Sequence, residues 1–327
     1  MEKIISEVYP RLYHYTNEQG LYGILENQCV WATHYKFLND YSEIELFRKK
    51  LIEFLYPLVL EDYKELIPKY PNAQEFISGK GGLSAVVRHD NELFVNSSYE
   101  ALSNGIYIAS FCTEHTDNYI NENGLLSQWR AYGGDGGFAI VFKTQVLEEM
   151  RSSEYDAFHY EGFLFDDVVY SDDEEKYKLD LSEPLLKIST YQKEMFKQAL
   201  QRKQELLDAK DAYSSFVQCI TRYKHRGFKE EQEVRIVTIP IALDRSYQEI
   251  AGDEHCKSKP EKEPKFRDKN GRSTPYIELF RSLDSPLPIE KIIVGPHKDK
   301  DSRAAALRIR LRNTDIEVTV SEIPYSS

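Results

Sequence analysis

The sequence predicts an α+β fold. Three observations lead there: strand-like and helical stretches mix without the regular alternation of a doubly wound sheet, no segment repeats, and apolar spacing switches repeatedly between period two and helical period. The strongest motifs lie at both ends and in the middle of the chain. One elaborated domain spanning residues 1–327 is therefore expected, with helical insertions at about 51–104 and 182–222.

The elements follow in order. Leu12-Tyr-His-Tyr15 reads as a short strand, and Thr16 with Gln19 three residues on forms a capping box that opens a helix. Leu21, Ile24 and Leu25 give that helix its apolar face, before an extended run through Cys29-Val-Trp-Ala-Thr33. Asn39-Asp40 with Glu43 opens a second helix, carried on by Ile44, Phe47, Leu51, Ile52 and Leu55. Glu61–Asn104, broken by Pro68, Pro71 and Gly79-Lys-Gly-Gly82, reads as a helical, partly flexible insertion. Gly105–Phe111 and Gly137–Phe142 read as strands, bracketing Leu125–Tyr132 and the glycine cluster Gly133-Gly-Asp-Gly-Gly137. Phe163-Leu-Phe165 and Val168-Val-Tyr170 are extended, and the acidic run Asp172–Glu175 is a surface loop. A long helix follows Ser182, with Ile188, Tyr191, Met195 and Ala199 on its packing face. Glu233–Ile239 is a strand. Glu249–Thr274, rich in Lys, Glu, Gly and Pro, reads as a long mobile loop. Ile289–Pro296, a helix from about Asp301 and a strand at Ile316–Val320 close the chain.

Composition narrows the function. With 41% hydrophobic residues and 13% aromatics, the chain supports a sizeable core. A net charge of −12 repels phosphate backbones, which disfavours broad nonspecific nucleic-acid binding. The moderately basic tail, with Arg303, Arg308, Arg310 and Arg312, reads as a solvated helix face. Cys29, Cys112, Cys219 and Cys256 are too dispersed for a zinc site and read as buried, reduced thiols. Met1–Ser6 lacks the apolar core of a signal peptide, and Leu55–Leu60 is too short to span a bilayer. A soluble cytoplasmic protein without bound metal is expected.

Several residues are candidates for chemistry. Alternation along the first strand puts Leu12, His14 and Thr16 on one face, and Tyr13 and Tyr15 on the other. His14 suits either a core imidazole bonded to a backbone carbonyl or a group that grips sugar hydroxyls. Trp129 and Tyr132 sit beside the glycine cluster, where an aromatic can stack on a flat ligand and Arg130 can meet a phosphate, although a Trp at a helix end usually packs in a core. The cluster is neither a dinucleotide fingerprint nor a P-loop, and reads best as a tight turn. Glu233 and Arg235 share one strand face. A solvated strand end paired with neighbouring charges competes there with a rigid catalytic carboxylate.

Larger blocks carry a resemblance. Leu12-Tyr-His-Tyr-Thr16, Trp31, Asn39-Asp40-x-x-Glu43, Ser110-Phe111, Trp129-x-x-Tyr132-Gly133, Glu231-x-Glu233-x-Arg235-Ile236 and Ile293-Val-Gly-Pro296 resemble a bacterial family of unassigned function, domain of unknown function twenty-nine seventy-one. More distantly, a strand His followed by Thr, then a helix, then a late-strand Glu is similar to the ADP-ribosyltransferase superfamily. That similarity implies a mixed, split antiparallel sheet and cleavage of NAD at the nicotinamide–ribose bond. It implies that His14 holds a ribose hydroxyl with help from Thr16, that Tyr132 (or Tyr15 or Trp129) stacks on nicotinamide, and that Glu233 stabilises an oxocarbenium-like transition state. Ser110, Arg130 and Arg235 complete the NAD-binding set it implies.

The leading expectation is thus an NAD-dependent ADP-ribosyltransferase or NAD-cleaving enzyme, in the manner of a bacterial toxin or phage-defence effector. Its acceptor, protein or nucleic acid, is left open. The competing expectation is a non-catalytic sensor or protein-interaction module on the same fold, meeting a partner protein through the charged stretches Glu61–Asn104 and Glu249–Thr274.

Overall fold

A short helix, α1 (Ile5–Val8), leads into strand β1 (Arg11–Thr16) and helix α2 (Glu18–Asn27). The structure, a computed structural model, describes residues 4–38, 41–102, 105–134, 136–170, 174–241, 259–269 and 271–324. Asn39-Asp40, Asp172-Asp173 and Cys256 lie outside the described residues. The cap of α2 is Asn17 and not Thr16: the Asn17 side chain accepts from the Gly20 amide at 2.9 Å. Thr16 is held back in the strand by its pairing with Phe138.

Strand β2 (Val30–His34) is followed by helices α3 (Tyr41–Leu66), α4 (Ala73–Gly79) and α5 (Leu83–Ala101), then strand β3 (Tyr107–Thr113). Helices α6 (Asn118–Asn123) and α7 (Leu126–Tyr132) lead to β4 (Phe138–Lys143), α8 (Thr144–Ala157), β5 (Tyr160–Asp167) and β6 (Val169–Tyr170). Next come α9 (Glu174–Asp180), α10 (Ser182–Gln201), α11 (Lys210–Arg222), β7 (Tyr223–Lys224) and β8 (Glu233–Pro240). The chain closes with β9 (Lys265–Lys269), β10 (Arg272–Leu279), β11 (Ile289–Val294), α12 (Lys300–Arg310) and β12 (Glu317–Val320).

Two compact units result. The first comprises Met1–Phe37, Tyr107–Val168 and Gly227–Ser327; the second comprises Leu38–Ile106 and Val169–Arg226. The second is helical, apart from the parallel pair β6–β7. Its core is aromatic: Phe47 stacks on Tyr223 at 4.3 Å, and Tyr63 on Phe196 at 3.9 Å. On α10 the packed stripe is Leu185, Ile188, Gln192, Phe196 and Leu200, whereas Met195 is 48% exposed. The sequence reading of that face was therefore turned too far round the helix, because it followed Met195 and Ala199 in place of Phe196 and Leu200.

The first unit holds a large mixed sheet in the order β12-β11-β4-β1-β3-β2-β10-β9, with β8 on β3 and β5 on β8. Among the described residues, only β11–β12 pairs in parallel within it. The stretch read as a mobile loop, Glu249–Thr274, in fact contains β9 and the start of β10, which pair as a hairpin with Lys269 opposite Arg272. Gly271, at φ 75°, supplies the left-handed turn residue.

Strand β3 is the hub of this sheet. Along one side it pairs with β8 from Tyr107 to Cys112. Along the other, its C-terminal end pairs with β1 (Thr113 with Leu12, Cys112 with Tyr13) and its N-terminal end with β2 (Ile108 with Thr33, Tyr107 with His34). Between those two pairings β1 turns away onto β4 and β2 onto β10, so the sheet opens beside Ala109, Ser110 and Phe111. One face of the sheet carries the main core, with Leu12, Phe111, Ile140, Val234 and Ile236. The other carries a smaller cluster of Tyr13, Tyr15, Trp129, Val141 and Ile293.

Candidate functional site

His14 sits at the opening of the sheet. Its Nδ1 lies 3.0 Å from the carbonyl oxygen of Ser110, one of the β3 groups that β1 and β2 leave uncovered. A carbonyl only accepts, so Nδ1 carries the proton and Nε2 is left as an acceptor. Burial first, and then the charge of Arg267, hold the imidazole below its ordinary pKa, while the bond to Ser110 opposes them. The ring packs at 5.6 Å from Phe111. It keeps partial solvent exposure although it lies deep among protein atoms, as befits the floor of a depression. A neutral imidazole with a fixed tautomer suits the acceptance of a hydroxyl proton from a bound sugar.

Glu233 is elsewhere. Residues directly opposite in adjacent strands share a face, and the register aligns Tyr13, Cys112 and Glu233. His14, one residue on, belongs with Phe111 and Val234 on the other face. The sheet thus does not bring His14 and Glu233 into one cleft. Nor is Glu233 a solvated strand end: it is 4% exposed, and Arg235 is 2% exposed. Arg235 donates through Nε to Oε1 at 2.7 Å and through Nη2 to Oε2 at 3.0 Å, a bidentate pair within one strand face. The residue before it, Gln232, takes a left-handed φ of 43° and accepts from Thr113 Oγ1 at 3.1 Å, which fixes where β8 begins.

The aromatic candidates divide as well. Trp129 is buried, donates through Nε1 to the Asn123 carbonyl at 3.1 Å, and meets Tyr15 edge-on at 4.9 Å. The Tyr15 hydroxyl accepts from the Leu125 amide at 2.9 Å. Both rings are therefore core, sealed by Gly124 and Gly295, where an added Cβ would fall 2.3 and 2.8 Å from the indole. Neither is placed to stack on a ligand. Tyr132 is 39% exposed at the end of α7, with Arg130 exposed beside it.

Two concavities flank these residues. The pocket lined by Tyr13, Tyr15, Cys112, Glu231 and Gln232 has about 10 Å³ of water-accessible space, room for about one water and not for nicotinamide. An open cleft of about 610 Å³ lies between the start of α2 and the glycine turn, lined by Asn17, Glu18, Tyr22, Gly133, Gly136 and Arg303. Arg303 is already engaged there, donating to the Gly136 carbonyl at 2.6 Å.

The sequence reading missed Arg267 on β9. Its guanidinium lies 4.7 Å from the centre of Trp31 and 5.4 Å from that of Tyr276, and Nη2 donates to Thr33 Oγ1 at 3.0 Å. The signal that marks this hairpin in the sequence is Asn270-Gly271 between two strand-like runs. Among the described residues, no group of His, Cys, Asp or Glu side chains is placed to hold a metal ion, and no helix is long and apolar enough to cross a membrane.

Residues 128–236 match the model of a family described as "Protein of unknown function (DUF2971)". The match runs from α7 to the middle of β8, so it takes in Trp129, Tyr132, Glu233 and Arg235 but neither His14 nor Arg267. It agrees with the unknown-function family that the sequence blocks resemble. No curated protein and no solved structure matches the chain.

Proposed function

We propose that this chain is a ligand-sensing module on a transferase-like split sheet, and that it holds NAD or a nucleotide fragment of it at His14 without breaking the nicotinamide–ribose bond. One observation carries the reading: Glu233 lies on the face opposite His14, with both oxygens taken by Arg235. A carboxylate that stabilises a developing oxocarbenium ion has to reach the ribose, and must not have its charge cancelled by a fixed guanidinium. The binding half of the reading is supported by the neutral imidazole at the opening, with Nδ1 spent on Ser110 and Nε2 presented as an acceptor.

Calorimetric titration of the purified chain with NAD, beside chromatographic measurement of nicotinamide, tests it. Binding that weakens in His14→Ala, with nicotinamide no higher than in a protein-free control, is the expected result. Nicotinamide release that disappears in a folded Glu233→Gln variant overturns the reading. It would favour the second one, an NAD-cleaving ADP-ribosyltransferase of the toxin or defence type, whose support is the opening of the sheet beside His14.

A further inference from the structure

Among the described residues, Arg267 is a cation with no carboxylate to answer it. Its Nε is buried and unbonded among the described residues, and no salt bridge reaches the guanidinium there. The acids nearest along the hairpin are spent: Asp268 accepts from the Gly271 amide, and Glu278 is paired with Lys265 and Arg281. Lys269, two residues along and therefore on the same face, is likewise held below its ordinary pKa by burial and then by Arg267. Such a concentration of desolvated positive charge stands out in a chain of net charge −12.

Its mounting is equally telling. Trp31 and Tyr276 hold the guanidinium by their rings, and Thr33 takes one edge. An arginine held by its faces still has a planar edge of N–H donors, the geometry that grips a phosphate with two parallel bonds. Among the described residues, the Trp31 indole N–H beside it is also buried without a hydrogen bond of proper geometry, though close enough to favour the deprotonated Cys29 thiol, which burial pushes up to about 11. Trp31 and Arg267 retain partial exposure, and the register puts Trp31, Thr33, Tyr276 and Arg267 on the sheet face that carries Glu233, opposite the face of His14.

We propose that Arg267, backed by Trp31 and Tyr276, is the docking point for the diphosphate of a nucleotide. It goes beyond the ligand-sensing reading, whose ligand lies on the His14 face. Nucleic acid is the less suitable source of phosphate, because the acidic surface repels a long polyanion.

Titration calorimetry at low ionic strength, with ADP, inorganic pyrophosphate and adenosine as probes, tests the proposal on the full chain. ADP and pyrophosphate are expected to bind, and adenosine to bind about 10- to 100-fold more weakly than ADP. Arg267→Gln should weaken ADP by a similar factor and leave adenosine unchanged. Arg267→Lys keeps a stacked cation but loses the planar fork, so it should lose affinity with the fold intact by circular dichroism. Adenosine binding as tightly as ADP, or full ADP affinity in either Arg267 variant, overturns the proposal, as does an absence of ADP binding in the parent chain. The two readings fail separately. ADP binding untouched by Arg267→Gln sinks this inference alone, whereas nicotinamide release from NAD with ADP binding at Arg267 intact sinks the sensor reading alone.

Discussion

Replacing Glu233 by alanine will cost this protein stability before it can reveal anything about catalysis. The carboxylate is 4% exposed, and its two oxygens accept from one guanidinium at 2.7 and 3.0 Å. Removing it takes the bidentate partner from a guanidinium that is 2% exposed. Breaking a buried pair from one side costs about 3–5 kcal/mol, a large part of the roughly 5–15 kcal/mol that holds a typical fold together. Urea denaturation followed by far-ultraviolet circular dichroism should show a lower midpoint at unchanged slope. The double replacement Glu233→Leu with Arg235→Met removes both charges together and should cost less than Glu233→Ala alone, a coupling that a double-mutant cycle measures. A Glu233→Ala variant within about 1 kcal/mol of the parent would refute the reasoning, since a desolvated, bidentate pair cannot be so inexpensive to break. Loss of activity in that variant is therefore informative only beside a measured midpoint.

Three further outcomes follow from the same structure. Glu154 is fully buried and accepts from Lys262 Nζ at 2.6 Å, Tyr160 Oη at 2.9 Å and the Phe280 amide at 3.1 Å. Glu154→Leu should lose about 3–5 kcal/mol in urea denaturation, and a change below about 1 kcal/mol would count against that network. Asn91 is fully buried with neither amide atom bonded among the described residues, so Asn91→Leu should raise the thermal midpoint, worth about 1–3 kcal/mol; a fall would mean that the amide has a partner. Burial, then Lys36, push His34 down from 6.5 to about 4. The unfolded chain therefore takes up a proton before the folded one does, so the stability His34 contributes is present above pH 6.5 and is lost as pH falls towards about 4. His34→Gln should flatten that decline, and an unaltered stability profile from pH 7 to 4 would reject the assignment.

Much of the sheet is legible in the sequence because its strands are short runs rich in apolar and β-branched residues. Leu12–Tyr15, Gly137–Phe142 and Glu233–Ile239 each announce a strand that the structure contains, and the alternation that puts His14 and Tyr15 on opposite faces of β1 is plain from spacing alone. What spacing does not state is register. Whether Glu233 shares a face with His14 depends on which β3 residue each meets, and that is fixed by the distant pairings of Tyr13 with Cys112 and of Cys112 with Glu233. The β9–β10 hairpin was hidden for a different reason: Lys265-Phe-Arg-Asp-Lys269 is too charged to look like a strand, and it pairs as an edge strand, where charge is tolerated. Trp129 and Tyr15 resemble ligand-stacking aromatics until the glycines that press against the indole are located.

The place of β3 in the sheet also governs how the chain is made. Tyr107-Ile-Ala-Ser-Phe-Cys-Thr113 carries neither charge nor proline, and its full-length partner begins only at Glu233. At a synthesis rate of about 5–20 residues per second, that strand waits roughly 6–25 s for β8 to leave the ribosome. Throughout that interval a β-prone edge of the kind that seeds aggregates stands open on a nascent polypeptide. Yield in the cell should thus depend on a chaperone that masks this seven-residue strand during translation, and slower elongation between β3 and β8 should lower the soluble fraction without altering the finished protein.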